Sequence, residues 1–363
     1  MSEEVAARVR AAIADHGPIG FEEYMEIALY GPGGFFERPP IGARGHFVTA
    51  PHVHPFVFAH CVRTALLETW HALGEPDPFR VVELGAGDGT LAEALLDAFA
   101  ELPAPRVDYV GVEISAGARD ALLGRGLKAV GQVEDLEPFG GVILANELLD
   151  NLPFVPVRGR DRGLVEVRVG LDEDGDDLVE VEVPWSRGDA APTLRDGQES
   201  TIPVGAFAIL DEAVTRLHRG SLLLIDYGRT EGSAGAVHGY REHREVADVL
   251  SDPGGTDITA GVDWTLIAAH ARNLGLRACG PVTQAEALDA LGHPRWEAAM
   301  REMQAFLQRA DRGSEAVRVW ETRSRASLLA DPAGFGAFRW LEVATGGIPE
   351  PSWLATPPRP SAG

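Results

Sequence analysis

The middle of the chain alternates short apolar runs with amphipathic segments of helical period. The predicted elements follow one another as strand 80–84, helix 90–99, strand 108–112, helix 116–123, strand 128–130 and strand 141–145. Two later apolar runs, at 221–225 and 338–343, predict further strands of the same sheet. Strands that alternate with helices are typical of a parallel sheet covered on both faces. The pattern therefore predicts a doubly wound α/β fold.

The flanking and inserted segments have different patterns. Residues 3–15 and 21–29 have helical period, and the Gly- and Pro-rich stretch 30–50 predicts a lid or substrate-facing cover, with a plain N-terminal arm as the alternative. Between 153 and 184, apolar residues alternate with charged ones around an acidic stretch at 172–177. This alternation predicts an antiparallel hairpin with a solvated turn.

The remaining segments complete the predicted organisation. Further helices are predicted at 55–73, 207–219, 262–274 and within 284–329, with a polar loop before residue 261. The predicted parts are an N-terminal helical cover with a substrate-facing loop (1–75), a core (76–153 and 206–348), an inserted antiparallel β lobe (154–205) and a flexible tail (349–363).

Composition and charge exclude several classes of function. Of 363 residues, 45% are hydrophobic, which is enough for a substantial core, and the net charge of −23 would repel a nucleic-acid backbone. Cys61 and Cys279 are too few for a disulfide framework or a thiolate metal site. His52, His54 and His60 have no Cys or acidic partner at ligand spacing, so no metal is expected.

The sequence also leads to a prediction of cellular location. The N-terminus has no basic segment followed by an apolar core, and no run is long and apolar enough to cross a bilayer. We therefore expect a cytoplasmic protein without a membrane partner.

A glycine-rich loop follows the first core strand. The strand ends near Glu83 and is followed by Gly85, Ala86, Gly87 and Gly89 before a helix begins. Glycines carry no Cβ, so the backbone can approach a ligand at the helix N-terminus. A dinucleotide fingerprint reads G-x-G-x-x-G, whereas this loop reads G-x-G-x-G after an acid that would be unfavourable beside pyrophosphate. The same acid suits a cationic methionine moiety, so the loop favours S-adenosylmethionine over NAD.

The ends of the next two strands carry further candidate cofactor contacts. Glu113 is placed to accept hydrogen bonds from both ribose hydroxyls, but NAD enzymes also have an acid at this position. Val133 and Glu134 follow the third strand, where a side chain and a backbone amide could bind the adenine edge; an ordinary surface loop is the alternative. These residues indicate an adenosine-containing ligand, with a dinucleotide oxidoreductase and a non-catalytic relative of the fold as alternatives.

Polar residues cluster after the fourth strand, beside the expected methyl donor. Methyl transfer is an in-line displacement, so the protein has to align the acceptor, exclude water and, where necessary, remove a proton. Glu147 is the candidate to orient a guanidinium or act as general base, and Asn146 to hold the cofactor through its amide. The alternative is a helix N-cap with a first-turn acid. Asp226, a third catalytic candidate, and Tyr227 could form the opposite wall.

Motifs along most of the chain resemble those of one known family. They are Gly17-Pro18-Ile19, Phe47-Val48-Thr49-Ala50-Pro51, the Glu83 loop, Val112-Glu113-Ile114-Ser115, Ala145-Asn146-Glu147, Asp226-Tyr227-Gly228, Asp257-Ile258-Thr259-Ala260 and Val262-Asp263-Trp264. With them the chain resembles the MidA family of methyltransferases, whose mitochondrial members support assembly of respiratory complex I by methylating a protein arginine. The resemblance implies a mostly parallel, seven-stranded class I methyltransferase sheet with an N-terminal helical cover and an inserted β-rich lobe.

The resemblance also implies a cofactor, a reaction and further site residues. The cofactor is S-adenosylmethionine and the reaction is protein arginine N-methylation. Thr49, Pro51 and Ile114 are added to the expected cofactor contacts. Separately from the resemblance, the expected substrate contacts are His52, His54, Asp150, Tyr227 and Tyr240.

Departures from the family pattern leave the methyl acceptor open. His46 stands where the family has an aspartate, and Pro51-His52-Val53-His54 stands where it has Pro-Glu-Ile-Ser. A small-molecule methyltransferase of a biosynthetic pathway and a non-catalytic assembly factor that binds S-adenosylmethionine therefore stay as alternatives. Besides the cofactor and the methyl acceptor, a second copy of the chain in a homodimer is the other candidate partner.

Overall fold

The computed structural model describes residues 2–37, 49–101, 105–188, 191–230, 235–241 and 244–354. The helices are α1 (Ser2–His16), α2 (Phe21–Met25), α3 (Ala50–Val53), α4 (Pro55–Ala72), α5 (Thr90–Ala100), α6 (Ala116–Gly124), α7 (Val204–Arg216), α8 (Trp264–Asn273), α9 (Gln284–Ala290), α10 (His293–Arg309) and α11 (Gly313–Ser327). A π-helical turn, Glu26–Tyr30, continues α2.

The strands divide between a central sheet and smaller sheets. They are β1 (Ile19–Gly20), β2 (Phe79–Leu84), β3 (Val107–Val112), β4 (Lys128–Val130), β5 (Phe139–Asn146), β6 (Val155–Arg160), β7 (Gly163–Leu171), β8 (Leu178–Pro184), β9 (Glu199–Ile202), β10 (Leu217–Asp226), β11 (Gly228–Arg229), β12 (His238–Arg241), β13 (Arg244–Val246), β14 (Asp257–Thr259), β15 (Val262–Asp263), β16 (Arg277–Thr283) and β17 (Arg339–Ala344).

The central sheet confirms the predicted α/β class. Its strand order is β16-β17-β10-β5-β2-β3-β4. Neighbours from β10 to β4 pair in parallel, whereas β17 runs antiparallel to both β10 and β16. One apolar core packs α4, α5 and α9 on one face, and a second packs α7 and α8 on the other. The carboxyl ends of β2, β3, β5 and β10 therefore meet at one edge, where open α/β sheets bind ligands.

A second layer covers this edge. β6 to β9 form an antiparallel sheet with β1, and α1 and α2 pack against it. Phe21 of α2 stacks on Phe154 with ring centroids 5.7 Å apart, and the Tyr24 hydroxyl donates to the Val249 carbonyl at 2.8 Å. These contacts join the N-terminal helices, the inserted sheet and the 228–261 segment in one apolar core.

Several sequence-based element predictions were wrong in detail. β16 was not predicted because Gly280 and Pro281 interrupt it, and its register with β17 shifts between Cys279 and Val282. The helix predicted at 207–219 begins at Val204 and gives way to β10 at Leu217. The helix predicted from 262 begins at Trp264, because the Asp263 carboxylate accepts the Thr265 and Leu266 amides as N-cap.

Two segments are more ordered than their composition suggested. The polar stretch before residue 261 contains a three-stranded sheet, β13-β12-β14. The tail predicted to be flexible from Pro349 instead buries Trp353 against Trp340, with ring centroids 5.9 Å apart. Large aromatic area removed from water holds this part in place, whereas residues 355–363 lie outside the described part. Within the described ranges, no helix combines the length and apolarity needed to span a bilayer.

Candidate active site

A cleft of about 1280 Å³ runs along the carboxyl edge of the central sheet. The sheet side contributes Leu84, Gly85, Glu113, Ile114, Val133, Glu134, Glu147 and Asp226. The covering layer contributes Tyr30, Phe36, Tyr240, Asp257 and Thr259, with Phe335 and Phe338 at one end. The volume exceeds that of a typical small-molecule pocket, so it can take a cofactor together with an acceptor side chain.

The glycine loop forms the floor of one half of the cleft. Gly85, Gly87 and Gly89 have φ angles of 66°, 54° and 81°, which non-glycine residues rarely adopt. A Cβ on Gly85 would lie 2.9 Å from Leu148 Cδ1, and one on Gly89 would lie 2.9 Å from Leu122 Cδ2. Ala86 is buried beside Gly111. The loop thus has the shape of a cradle that backbone alone can line.

Glu113 lies at the end of β3 with its carboxylate fixed over this loop. Its Oε2 accepts the Gly87 amide at 3.0 Å and its Oε1 accepts the Ser115 amide at 2.8 Å. Ile114 beside it is 61% exposed, unusual for a large apolar side chain, and lines the cleft with Gln132, Val133 and Glu134. A fixed carboxylate next to an exposed apolar face suits a ribose and its attached base.

Glu83 does not take the position expected from the sequence. It is 3% exposed, and its Oε2 accepts the Tyr109 hydroxyl at 2.7 Å. Burial raises the pKa of Glu83 to about 8, against the opposing effect of the Tyr109 hydrogen bond. The predicted contact of Glu83 with a cationic ligand has no support in this structure, because its carboxyl bonds to Tyr109 and Glu83 is not among the residues that line the cleft.

Glu147 has strained backbone at the start of the loop after β5. Its φ is 52°, in the left-handed region, and its amide donates to the Ile225 carbonyl at 2.8 Å. Such strain persists only where the surroundings fix it, and it is common at functional sites. The side-chain Oε1 accepts the Ala50 amide at 2.8 Å and the Asn146 amide at 3.2 Å, so the N-terminal segment helps to hold it.

The charge state of Glu147 is set by its enclosure. Burial is the largest cause that raises the pKa of Glu147 to about 8, and Asp150 adds to it. Both hydrogen bonds to described residues go to Oε1, and the residue lines the cleft. The adjacent Asn146 has a buried Oδ1 without a hydrogen-bond partner in the described structure. The pair thus offers one free carboxylate oxygen and one free amide oxygen at the end of β5.

Asp226 holds the loop that carries Glu147. It is fully buried, its Oδ2 accepts the Leu149 and Asp150 amides at 2.8 and 3.2 Å, and its Oδ1 accepts the Tyr227 amide at 2.8 Å. Burial and the nearby Asp150 raise the pKa of Asp226 well above its ordinary value. Because Asp226 has no exposed surface and accepts three backbone amides, the geometry favours a supporting function over the predicted catalytic one.

The covering layer adds a second acidic group of residues. Asp150 Oδ2 accepts the Thr259 hydroxyl at 2.7 Å, and the same hydroxyl contacts the Tyr227 hydroxyl. Asn151 Nδ2 donates to Asp257 Oδ1 at 2.8 Å, and the Asn151 carbonyl accepts the Tyr30 hydroxyl at 2.9 Å. Tyr30, Asp257 and Thr259 were not predicted as site residues, although Asp257 and Thr259 lie in the family motif Asp257-Ile258-Thr259-Ala260.

The predicted histidine contacts are displaced from the cleft wall. His52 Nδ1 contacts Thr49 Oγ1 at 2.7 Å and its Nε2 contacts Asp88 Oδ2 at 3.4 Å. His54 Nδ1 accepts the Val57 amide as N-cap of α4, and its ring packs 5.2 Å from Trp296. His54 is thus used in packing, which contradicts its predicted substrate contact. His46 lies outside the described residues.

Some of the other predicted cofactor and substrate contacts line the cleft and others do not. Thr49 and Tyr240 line the cleft, and Pro51 is buried in α3. Burial raises the pKa of Asp88, but hydrogen bonds from His52 and Thr90 oppose it and bring it to about 2. Asp88, between Gly87 and Gly89, is therefore a negative charge held within the glycine loop. The described residues contain no group of three or more His, Cys, Asp or Glu side chains arranged to hold a metal ion.

The chain is similar to proteins of one enzyme family. A family model described as "Putative S-adenosyl-L-methionine-dependent methyltransferase" matches residues 61–282. The mitochondrial protein arginine methyltransferase NDUFAF7 homolog of Drosophila melanogaster is 27% identical and aligns over 94% of this chain and 85% of its own length. Mitochondrial protein arginine methyltransferase NDUFAF7 of Homo sapiens is 26% identical, over 77% and 71%.

Solved structures are similar to the whole fold. A crystal structure from Burkholderia thailandensis with S-adenosyl-homocysteine bound has a TM-score of 0.82 and 28% identity, and the match covers 98% of this chain and 95% of that one. A native structure from the same organism has a TM-score of 0.81 and 28% identity over 97% and 94%.

The comparisons overturn one prediction. We expected a cytoplasmic protein from the missing signals, but the curated relatives from fly, fish and human are all named mitochondrial. The missing basic-apolar N-terminal pattern argued only against a secretory signal, and transit peptides have a different composition.

Proposed function

The chain belongs to this family of S-adenosyl-L-methionine-dependent methyltransferases, and from that premise we propose that it methylates a guanidinium nitrogen of a protein arginine. The enzyme class and the cofactor follow from the family itself. The acceptor is our proposal, and one observation carries it: Glu147, Asp150 and Asp257 line the same cleft as the glycine loop. The arginine methyltransferase names of the relatives support the same acceptor.

The residues of the glycine half fit the cofactor. The backbone of residues 85–87 would lie against the methionine part, in a loop whose positive φ angles at Gly85 and Gly87 favour glycine. Glu113 would accept hydrogen bonds from the ribose hydroxyls, with Ile114 and Val133 against the adenine. Glu134 lies next to them, and the buried Asn146 Oδ1 is a free acceptor close to the expected position of the donor.

The acceptor half has to hold a cation and take up a proton. When bound, S-adenosyl-L-methionine supplies a methyl carbon attached to a positively charged sulfur. As an arginine ω-nitrogen forms its new bond to that carbon, the carbon–sulfur bond breaks and the nitrogen loses one proton. Glu147 is the group we place to receive the proton on its free oxygen. Two neighbouring positive charges favour the ionised form of Glu147, so it is a competent base in the loaded enzyme.

A small-molecule acceptor would call for a different cavity. An uncharged metabolite would be expected in a closed and mainly apolar pocket. The cleft instead carries several buried or half-buried carboxyl groups. Removing an ionised carboxylate from water is unfavourable, and a nearby cation offsets that cost. The acceptor half also combines two sources, because the core loop after β5 supplies Glu147 and Asp150 whereas the covering layer supplies Asp257.

Methyl transfer to defined peptides tests this function. Peptides with a central arginine, lysine or histidine and degenerate flanks would be incubated with the enzyme and S-adenosyl-L-methionine tritiated on the methyl. We expect label on the arginine pool, and loss of it in Glu147→Gln with unchanged affinity for S-adenosyl-homocysteine. Label restricted to the lysine or histidine pool would refute the arginine acceptor.

A further inference from the structure

One carboxylate oxygen in the acceptor half of the cleft has no partner. Asp150 lines the cleft, and its Oδ1 is buried without a hydrogen bond in the described part of the chain. A buried polar atom left unpaired destabilises the fold, so native proteins seldom keep one without a use. An oxygen of this kind in a ligand cleft can accept a hydrogen bond from a donor group of the ligand.

Asp150 Oδ2 is held by a hydrogen bond, and this fixes the orientation of the unpaired Oδ1. Oδ2 accepts the Thr259 hydroxyl at 2.7 Å, Thr259 in turn contacts Tyr227, and the Asp150 carbonyl accepts the Ala260 amide at 3.1 Å. The Asp150 amide donates to Asp226. Side chain and backbone are thus both held, so Oδ1 is presented in a preorganised position.

We propose that Asp150 is a specificity-determining residue that binds the acceptor guanidinium through Oδ1, on the side away from the nitrogen being methylated. The inference rests on the proposed function and extends it, because Glu147 and Asp150 then have different functions toward the same guanidinium. Glu147 faces the reacting nitrogen and takes its proton. Asp150 accepts from another N–H of the same planar group and fixes its orientation.

The chemistry of the acceptor explains why two separate carboxylates are useful. A guanidinium presents five N–H donors in a fixed plane, so two acceptors at different positions can hold it without rotation. An ammonium has no such plane, and a neutral ureido group has neither the charge nor the full donor set. Asp150 should therefore discriminate for arginine against lysine and against citrulline.

Aromatic side chains line the same half of the cleft. Tyr30 stacks on Phe36 with centroids 5.4 Å apart, and Tyr227 lies 5.9 Å from Phe338. Aromatic faces pack well on the methylene stem of arginine and attract its planar cation. The walls thus offer apolar faces for the methylene stem of arginine, with carboxylates in the same cleft to receive its head group.

Binding of matched pentapeptides tests the inference independently of catalysis. The probes are glycine-flanked peptides with a central arginine, citrulline or lysine, titrated by calorimetry into the protein saturated with S-adenosyl-homocysteine. Asp150→Asn keeps the size of the side chain and an oxygen for Thr259, but removes the charge. We expect the wild-type preference for arginine over citrulline to fall by about 10- to 100-fold in Asp150→Asn, the loss of one charge-assisted hydrogen bond.

Two controls separate this effect from misfolding. Asp174→Asn makes the same chemical change in the exposed acidic turn and should keep the preference. Affinity for S-adenosyl-homocysteine should be the same in all three proteins. If Asp150→Asn retains the wild-type arginine preference, the inference is overturned while the proposed function stands. If the wild type itself shows no preference for arginine over citrulline, the proposed function fails as well.

Discussion

Replacing Glu147 by glutamine should make the cofactor-free protein more stable and nearly inactive. The side chain of glutamine has the same size and keeps an oxygen for the Ala50 and Asn146 amides. The substitution removes only the carboxyl group's ability to ionise. The two effects have opposite signs because a buried carboxyl useful for catalysis is unfavourable for folding.

The magnitude follows from the pKa of Glu147, which burial raises to about 8 from an ordinary value of 4.5. Folding then keeps a proton that the unfolded chain loses, so this contribution to stability is complete below pH 4.5 and is lost as pH rises through the folded pKa. At pH 7 the loss is at most about 3 kcal/mol, and water in the cleft reduces it. For a chain of this length, about 3 kcal/mol corresponds to roughly 4 °C in Tm.

The assay is thermal unfolding of wild type and Glu147→Gln between pH 5 and pH 8 without cofactor. We expect the variant to gain about 1 °C or less at pH 5 and up to about 4 °C at pH 7, with kcat lowered by about 10²- to 10⁴-fold. Glu173→Gln, an exposed residue of the acidic turn, should show no pH-dependent gain. A Glu147→Gln protein that is less stable than wild type at pH 8, or that retains full kcat, would refute the reasoning.

Three further predictions concern the loop and its supports. Gly87→Ala should abolish calorimetric binding of S-adenosyl-homocysteine, whereas Gly126→Ala, at a glycine with φ of 77° and open surroundings, should bind normally; equal binding by both variants would contradict the cradle. Asp226→Ala should lower the free energy of unfolding by about 2–5 kcal/mol in urea, since three backbone amides lose their acceptor; a loss under 1 kcal/mol would argue against a supporting function. Tyr30→Phe should raise KM for the acceptor more than it changes affinity for S-adenosyl-homocysteine, and the reverse order would place Tyr30 in the cofactor half.

The features predictable from sequence are those set by local pattern. Apolar runs followed by glycine or an acid identified β2, β3, β5 and β10, and parallel strands bring those carboxyl ends to one edge. The positions of the glycine loop, Glu113 and Glu147 follow directly from that geometry. Each depends on the residues of one strand end and not on distant partners.

The features that escaped prediction depend on contacts between distant segments. The Glu83 carboxyl accepts the Tyr109 hydroxyl, and the Asp226 carboxyl accepts amides of a loop that lies far away in the chain. No periodicity encodes either partner. Asp257 joins the cleft only because β14 lies over the sheet edge, and its polar surroundings in sequence predicted a loop.

The most direct test of the account is to locate the transferred methyl group. The purified enzyme would be given S-adenosyl-L-methionine with a deuterated methyl and the protein extract of a strain lacking the gene, and peptides would be sequenced by tandem mass spectrometry. The account predicts labelled fragments in which the mass increase lies on an arginine, absent with Glu147→Gln. Label on another residue type, or only in the small-molecule fraction, would contradict it.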